Sequence, residues 1–419
     1  MVFTAFFYIY ELASSIMIRP FLLFFSLVIA NTAIYSQWSL TSGVGSSNVW
    51  VLKSLSSGVY AGTQGSAYLT TNNGDSWQQI NDGLPASPNV KDFAGNNTTV
   101  YCAVYPQNKL YSTTNSGLNW IPTAVYPSNY YTQTVAVSDG YLFAGCDQMS
   151  VSSTNGGSNW VQMNSGSYAR NIVSFAINGN VLYAGTSAYG VYFTFLNGTS
   201  WTFISSGLGT AIIHDMAYGN NALYAACNRG IQSTTNNGAN WVQLNSALAN
   251  VQVQALSLLG TNIFISAQNK VHFTSNNGAN WQDITAGLPS NPNVLSLAYN
   301  DAYIFAGLST GAVYRLLLSS IIGIEPISSN VPAEFLLKQN YPNPFNPETN
   351  FRFDIRQAGL VKLRVIDAAG KEISTLVNSH LKAGEYEYKW NASNLPSGVY
   401  FYTLESGSFT ETRKMVLVK

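Results

Sequence analysis

The chain has 419 residues, of which 46% are apolar and 13% aromatic, so it can fill the cores of two or three globular domains. Only 9% of the residues are charged, and the formal net charge is zero. A nucleic-acid binder needs a basic stripe, and the sequence contains none, so DNA and RNA are not expected partners.

Residues 1–36 carry the pattern of an export signal. Arg19 precedes an apolar run from Phe21 to Ala30, and small and polar residues follow up to Ser36. This order predicts a secretory signal peptide, with Met17 as an alternative start and cleavage near Ser36. A membrane anchor is the competing interpretation, but the apolar run is shorter than the ~20 residues that a spanning helix needs.

A repeat of about forty residues occupies the centre of the chain. Six tryptophans recur at spacings of 43, 40, 41, 40 and 40 residues, at Trp77, Trp120, Trp160, Trp201, Trp241 and Trp281. A strand such as VYAGT at 59, LYAGT at 182 or IFAGL at 304 recurs seven times. Each unit contains four short β-strand patterns and no helical periodicity. The sequence therefore predicts a seven-bladed β-propeller over residues 37–320.

The last unit differs from the others because it ends at Ser320 without a tryptophan. Trp38 lies 39 residues before Trp77, about one repeat period upstream. It can therefore fill the tryptophan position that the last unit lacks. We therefore expect the N-terminal segment to supply the outer strand of the seventh blade. Closing the ring in this way would leave no free sheet edge.

The turn before each tryptophan has its own pattern. In TTNNGANW at 234, the Asn236 side chain can accept hydrogen bonds from backbone amides, and Gly238 can take a positive φ. The other copies are TTNNGDSW at 70, TTNSGLNW at 113, STNGGSNW at 153 and TSNNGANW at 274.

These stretches resemble the Asp-box, or BNR, repeat of sialidase-like propellers, Ser/Thr-x-Asp-x-Gly-x-x-Trp, with Asn in place of Asp. A sixth copy at 194 has Leu196 at that position. The resemblance implies a structural role on outer turns, away from the central funnel, for Asn72, Gly74, Trp77, Asn115, Gly117, Trp120, Asn155, Gly157, Trp160, Asn236, Gly238, Trp241, Asn276, Gly278 and Trp281.

Sialidase activity is not expected to accompany this resemblance. That family uses three arginines to clamp a carboxylate and a glutamate to activate a tyrosine, but no glutamate occurs between Gln37 and Ser320. The three arginines there, Arg170, Arg229 and Arg315, fall in different parts of a blade. Catalysis by this chain is therefore not predicted from the resemblance.

Another glycosidase would need only two carboxylates. Asp92 and Asp215 occupy equivalent positions at the entry to innermost strands and are the best acid/base candidates. The alternative is that both aspartates cap turns or lie in solvent, and we favour that interpretation, so no catalytic residue is assigned.

The loops expected on the same face are rich in tyrosine, with a few charges, at Tyr105, Lys109, Tyr130, Tyr131, Asp147, Tyr168, Arg170, Tyr189, His214, Arg229 and Lys270. Aromatic rings with polar edges suit a glycan or peptide ligand. We single out Tyr130, Tyr131, Tyr189, His214 and Arg229 as candidate ligand-binding residues.

No metal or cofactor is expected. The three cysteines, Cys102, Cys146 and Cys227, are too few for a disulfide framework, and two of them recur at the end of the LYAG-like strand. The three histidines, His214, His272 and His380, do not stand at ligand spacing from a cysteine.

Composition changes after the propeller. Charged residues number 15 of 284 from Gln37 to Ser320 but 19 of 85 from Phe335 to Lys419, which places a linker at 321–334 and a second domain at 335–419. Short alternating runs such as FRFDI at 351 and GVYFYTL at 398 predict a small antiparallel, Ig-like β-sandwich.

The motifs of this domain are NYPNPFNPET at 340, DAAGK at 367, LPSGVYFY at 395 and KMVLVK at 414. In this order they resemble the C-terminal sorting domain of type IX secretion, which is related to FlgD-like Ig modules. The resemblance implies a Gram-negative host, the secretion machinery as partner, and a mature protein that is released or attached to surface lipopolysaccharide. An accessory Ig domain that binds its own ligand is the alternative.

The sequence as a whole predicts an exported propeller that binds or adheres to extracellular glycans or proteins. A carbohydrate-active hydrolase using Asp92 and Asp215 is the second hypothesis, and a purely structural surface scaffold is the third.

Overall fold

The computed structural model describes residues 37–419 except 164–168, 210, 322–323, 329–330 and 393–394. The predicted signal peptide and Tyr168 lie outside these residues. In the described part, nine four-stranded antiparallel sheets account for the strands, and the helical elements are two 3₁₀ turns at Ser246–Leu248 and Leu318–Ser320. None of its helices has the length and apolar character needed to cross a bilayer.

Seven of the nine sheets are built from strands between residues 39 and 317. In chain order these strands are β1 (Ser39–Leu40), β2 (Val49–Leu55), β3 (Gly58–Thr63), β4 (Ala67–Thr70), β5 (Gln78–Gln79), β6 (Asn89–Gly95), β7 (Val100–Tyr105), β8 (Leu110–Thr113), β9 (Ile121–Pro122), β10 (Thr132–Ser138), β11 (Tyr141–Cys146), β12 (Ser150–Ser153), β13 (Val161–Gln162), β14 (Ile172–Asn178), β15 (Val181–Thr186), β16 (Gly190–Phe195), β17 (Thr202–Phe203), β18 (Ile213–Gly219), β19 (Ala222–Cys227), β20 (Gly230–Thr234), β21 (Val242–Gln243), β22 (Val253–Leu259), β23 (Asn262–Ala267), β24 (Lys270–Thr274), β25 (Gln282–Asp283), β26 (Val294–Tyr299), β27 (Tyr303–Leu308) and β28 (Val313–Leu317).

Blades 1 to 6 are each made of four consecutive strands, from β2–β5 for blade 1 to β22–β25 for blade 6. Blade 7 takes β26, β27 and β28 and is completed by β1, with Ser39 opposite Arg315 and Leu40 opposite Tyr314. The innermost strand of each blade packs against that of the next, and β26 packs against β2. The predicted seven-bladed propeller and its closure by the N-terminal strand are thus confirmed.

The LYAG-like strands contain glycine because neighbouring blades come close there. A Cβ added at Gly62 would lie 2.5 Å from Cγ1 of Val90 in blade 2 and 2.6 Å from Cγ1 of Val51. Gly145, Gly185 and Gly307 have equivalent contacts with the blade that follows. The small residue in this repeated motif is therefore needed for packing between blades.

The turns before the tryptophans form one repeated hydrogen-bonded unit. In blade 5, the Thr234 hydroxyl accepts from the amide of Gly238 at 3.0 Å, and Oδ1 of Asn236 accepts from the amide of Asn240 at 2.9 Å. Gly238 has a φ of +83°. The same pattern recurs in the turns that begin at Thr70, Thr113, Ser153 and Thr274.

Each tryptophan joins its blade to the preceding one. The indole Nε1 of Trp120 donates to the carbonyl of Ile80 at 2.7 Å, and that of Trp241 donates to the carbonyl of Ile204 at 2.7 Å. Trp38 completes the set by donating to the carbonyl of Ile284 at 2.7 Å. Because these bonds lie on the outside of the ring, they hold the blades together without contributing to the channel.

The remaining two sheets form a β-sandwich. Its strands are β29 (Ile324–Ser328), β30 (Leu336–Leu337), β31 (Glu348–Ile355), β32 (Gly359–Asp367), β33 (Glu372–Leu381), β34 (Gly384–Asn391), β35 (Gly398–Ser406) and β36 (Phe409–Leu417). The orders are β29-β34-β31-β30 and β33-β32-β35-β36.

The core between the two sheets is aromatic and aliphatic and includes Phe345, Phe351, Phe353 and Tyr402. The sequence placed a linker at 321–334, but β29 lies within it and pairs with β34. Part of that segment is therefore an edge strand, a position that tolerates Pro326.

Candidate functional site

A channel runs along the axis of the propeller. Its cavity of about 690 Å³ is lined by residues from the innermost strands of all seven blades. Antiparallel strands alternate in direction, so the innermost strands of all blades begin at the same face of the propeller. The turns between the second and third strands lie at this face too, and we call it the entry face. At the opposite end, the lining includes Thr71 and Asn73 of the first Asn-containing turn. One of these turns therefore reaches the cavity, although the resemblance placed them away from it.

Every innermost strand has a β-bulge at its second or third residue. The registers shift between Val49 and Val51 in blade 1, and at the equivalent place in each other blade. A bulge leaves one residue unpaired and redirects its side chain. The seven bulge residues, called here the bulge ring, are Trp50, Lys91, Gln133, Val173, His214, Gln254 and Leu295. All except Gln133 line the cavity.

The bulge ring contains polar groups that lack partners. The Lys91 ammonium lies 4.0 Å from the ring centroid of Trp50, and burial lowers its pKa. Nε1 of Trp50 and Nε2 of His214 are both buried without a hydrogen-bond partner in the described structure. Burial also lowers the pKa of His214. A buried polar atom without a partner is costly, so a ligand that reached these atoms would gain hydrogen bonds.

Three residues beyond each bulge residue, six of the seven innermost strands carry a small side chain. Blades 2 to 7 have Ala94, Ala136, Ala176, Ala217, Ser257 and Ala298 at this position. Of these residues, Ala217, Ser257 and Ala298 line the cavity, whereas Ala94, Ala136 and Ala176 are buried in cores between blades. Blade 1 has Lys53 instead, which is exposed and lines the cavity. Lys53 is therefore the one large side chain in an otherwise small-residue layer, and its charge acts on Asp215.

Asp92 lies one residue after Lys91 and connects blade 2 to blade 3. Its Oδ2 accepts from the Thr134 hydroxyl at 2.6 Å and from the amide of Val135 at 3.1 Å, and its Oδ1 accepts from the amide of Phe93 at 2.8 Å. Both oxygens are therefore held by groups of the protein itself.

Asp215 is the equivalent residue of blade 5 and connects that blade to blade 6. Its Oδ2 accepts from the amide of Leu256 at 3.1 Å, while Oδ1 accepts from the amide of Met216 at 2.8 Å and from the Ser174 hydroxyl at 3.2 Å. Burial raises the pKa of Asp215 to about 6, against the lowering effect of these amides and of Lys53. Both aspartates line the cavity, as their predicted position at the funnel requires.

The other candidate binding residues lie on the entry face but outside the cavity lining. Tyr131 is partly exposed and packs edge to face against Tyr105 at 5.5 Å, and its amide donates to Oδ1 of Asp147. Tyr130 is half-buried on the core of blades 2 and 3. Tyr189 and Arg229 lie in turns between second and third strands. Of the five residues predicted to bind a ligand, the structure places only His214 in the channel wall.

The cysteines of the described residues lie buried in the propeller, apart from any cluster of metal ligands. No group of three or more His, Cys, Asp or Glu side chains that could hold a metal ion occurs within the described residues. Cys102, Cys146 and Cys227 are free and buried, and burial raises the pKa of all three thiols. Such thiols are poor nucleophiles.

Sequence reasoning missed Trp50, Lys53, Lys91 and Gln254 as channel residues. The signal was present, because the bulge residues recur about forty residues apart, each one position before Asp92, Asp215 or their equivalents. Aligning the seven innermost strands would have found the ring, but nothing in a single strand distinguishes a bulge from regular alternation.

In the β-sandwich, the sequence motifs at the two ends of the domain are bonded to each other. Oδ1 of Asn343 accepts from the amide of Val416 at 2.9 Å, and Phe345 exchanges backbone hydrogen bonds with Val416 and Val418 at 3.0 Å. Asn340 is buried and its amide donates to the Tyr402 hydroxyl at 2.8 Å. The hydrogen bonds of Asn343 and Phe345 to the last strand join the two motifs, which explains why NYPNPFNPET and KMVLVK occur together.

Residues 339–419 match the family model described as a secretion system C-terminal sorting domain. This β-sandwich is a sorting domain. It implies interaction with the type IX secretion machinery, and the protein is exported to the cell surface or secreted. No curated protein matches the chain.

Solved structures with similar folds are β-propellers. One is YCF48 bound to D1 peptide, with 15% identity, a TM-score of 0.57, and coverage of 68% of this chain and 96% of that chain. PorZ, a surface component of the type IX secretion system of Porphyromonas gingivalis, has 18% identity and a TM-score of 0.55, with 90% and 60% covered. Virginiamycin B lyase from Staphylococcus aureus has 13% identity and a TM-score of 0.54, with 67% and 98% covered. The chain thus spans about 60% of the length of PorZ.

Proposed function

We propose that this exported propeller is a non-catalytic binding or adhesion module for an extracellular glycan or protein. The observation that carries the proposal is the state of Asp92 and Asp215, whose four carboxylate oxygens all accept hydrogen bonds from the protein. Carboxylates held in this way join neighbouring blades, and using one as an acid or base would require breaking those bonds.

Two further observations support binding. The entry face presents partly exposed Tyr131 and Tyr189, and the channel behind it has unpartnered polar atoms in the bulge ring. Among proteins of similar fold, one is described as bound to a peptide and another as a surface component of type IX secretion. These similarities concern the fold, and they make a protein ligand a reasonable first choice to test.

Associated with this function, we propose residues 1–36 as the signal peptide, 37–320 as the binding domain, and 335–419 as the sorting domain. The five Asn-containing turns would be Asp-box turns whose role is structural. Their side chains are engaged in the turn itself: the Thr113 hydroxyl donates to Oδ1 of Asn115 and accepts from the amide of Gly117.

A hydrolase using Asp92 and Asp215 remains the second candidate, since burial raises the pKa of Asp215 to about 6. A carboxyl group with such a pKa is protonated often enough near neutral pH to act as a general acid. Its partner Asp92 lines the same cavity.

The test uses the purified full chain with a panel of polysaccharides, surface glycans, glycoproteins and unglycosylated peptides and proteins, reading retained and released material by mass spectrometry. Retention without released products is the expected result. Products that disappear when Asp92→Asn and Asp215→Asn are combined would instead establish the hydrolase. If the panel gives neither retention nor products, the binding proposal fails and a scaffold is favoured.

A further inference from the structure

The strongest unexplained feature of the channel is the pairing of Lys91 with Trp50 in the bulge ring. No carboxylate among the described residues lies within 4.0 Å of Lys91, and its ammonium is partly withdrawn from water beside the indole. A desolvated cation without a counter-ion attracts an anionic group strongly. Next to it, the indole N–H of Trp50 is buried and has nothing to donate to.

Three aspartates line the cavity, Asp92, Asp215 and Asp301, and none of them forms an ion pair with Lys91 in the described structure. Asp92 accepts three hydrogen bonds from blades 2 and 3. Asp215 accepts three from blades 4, 5 and 6. Each of their oxygens already accepts at least one hydrogen bond from the protein, whereas the Lys91 ammonium and the indole N–H of Trp50 are donors. A carboxylate, with two oxygens that accept only, fits a neighbouring ammonium and N–H group.

On this basis, and assuming the binding function proposed above, we propose that the bulge ring binds the C-terminal carboxylate of a peptide or protein partner. The carboxylate lies between the Lys91 ammonium and Nε1 of Trp50. The last side chain of the partner packs against the apolar members of the ring, Val173 and Leu295. His214 and Gln254 offer polar groups to the backbone of the partner.

The structure favours a peptide over an acidic glycan as the source of the carboxylate. Sugars are commonly held by an open aromatic face, but the ammonium of Lys91 covers one face of Trp50. Val173, Phe175 and Leu295 add apolar patches to a mostly polar cavity wall, on which the last side chain of a peptide could pack. A cavity of about 690 Å³ is large enough for a few residues of an extended chain end.

The test measures binding of acetyl-Ala-Ala-Leu to the full chain by calorimetry, beside the same tripeptide with a C-terminal amide and a trigalacturonic acid. The expected result is that the free acid binds at least about tenfold more tightly than the amide. Lys91→Gln should remove most of that difference, and Trp50→Phe should reduce it. Lys109→Gln is the matched control, because it removes the same charge from the entry face outside the cavity lining.

Each other outcome overturns the inference. Equal binding of acid and amide, an equal loss in Lys91→Gln and Lys109→Gln, or the absence of tripeptide binding would rule out carboxylate recognition by the ring. Binding of trigalacturonic acid alone would assign the site to an acidic glycan. Retention on the glycan and protein panel that is unchanged in Lys91→Gln would leave the proposed function standing while this inference fails.

Discussion

The buried carboxyl of Asp215 should make the stability of the propeller depend on pH in an unusual direction. Burial raises its folded-state pKa from 3.8 to about 6. A raised pKa means that the folded state binds the proton more tightly than the unfolded state between these values. Stability contributed by this group should therefore increase as pH falls through 6 towards 4, and a difference of about two pKa units corresponds to about 3 kcal/mol.

The assay compares the wild-type chain with Asp215→Asn by denaturant unfolding between pH 7.5 and 4. Asn cannot titrate but keeps one oxygen to accept from an amide, so other titrating groups, such as Asp283 with its pKa lowered to about 2, cancel in the difference. We expect wild type to gain about 2.4 kcal/mol relative to the variant over this range, somewhat less than the full difference because the unfolded carboxyl is itself partly protonated at pH 4. A difference that stays flat, or changes with the opposite sign, would refute the argument that burial outweighs the amide hydrogen bonds.

Three further predictions follow from the fold. Gly62→Ala should destabilise the propeller by about 1–3 kcal/mol in thermal unfolding because its Cβ would collide with Val90, while Gly359→Ala, with nothing within 4 Å, should not. Trp120→Phe should cost about 1–3 kcal/mol by leaving the buried carbonyl of Ile80 unpaired, and an unchanged melting temperature would contradict this role. Deleting residues 335–419 should keep the protein inside the cell on fractionation of the native host, whereas Lys109→Gln should still be exported; export of the truncated chain would show that the sorting domain is dispensable.

Much of the architecture could be predicted because repetition makes local signals add up. One LYAGT strand or one NNGANW turn is ambiguous, but copies at a fixed period define the blade, and the missing tryptophan of the last unit identified Trp38 as the closing element. The sorting domain was also readable, because its motifs are contiguous in sequence. The strand β29 was missed because it is a short edge strand whose partner, β34, lies about sixty residues away.

The sequence by itself determined the number of blades, the closure of the ring and the C-terminal sorting domain, since each depends on short patterns along the chain. Only the tertiary structure decided which side chains face the channel, because that depends on seven bulges set by pairing between strands. It also decided the setting of Asp92 and Asp215. Apart from the amides of Phe93 and Met216, their hydrogen-bond partners belong to neighbouring blades about forty residues away and meet the carboxylates only when those blades pack together.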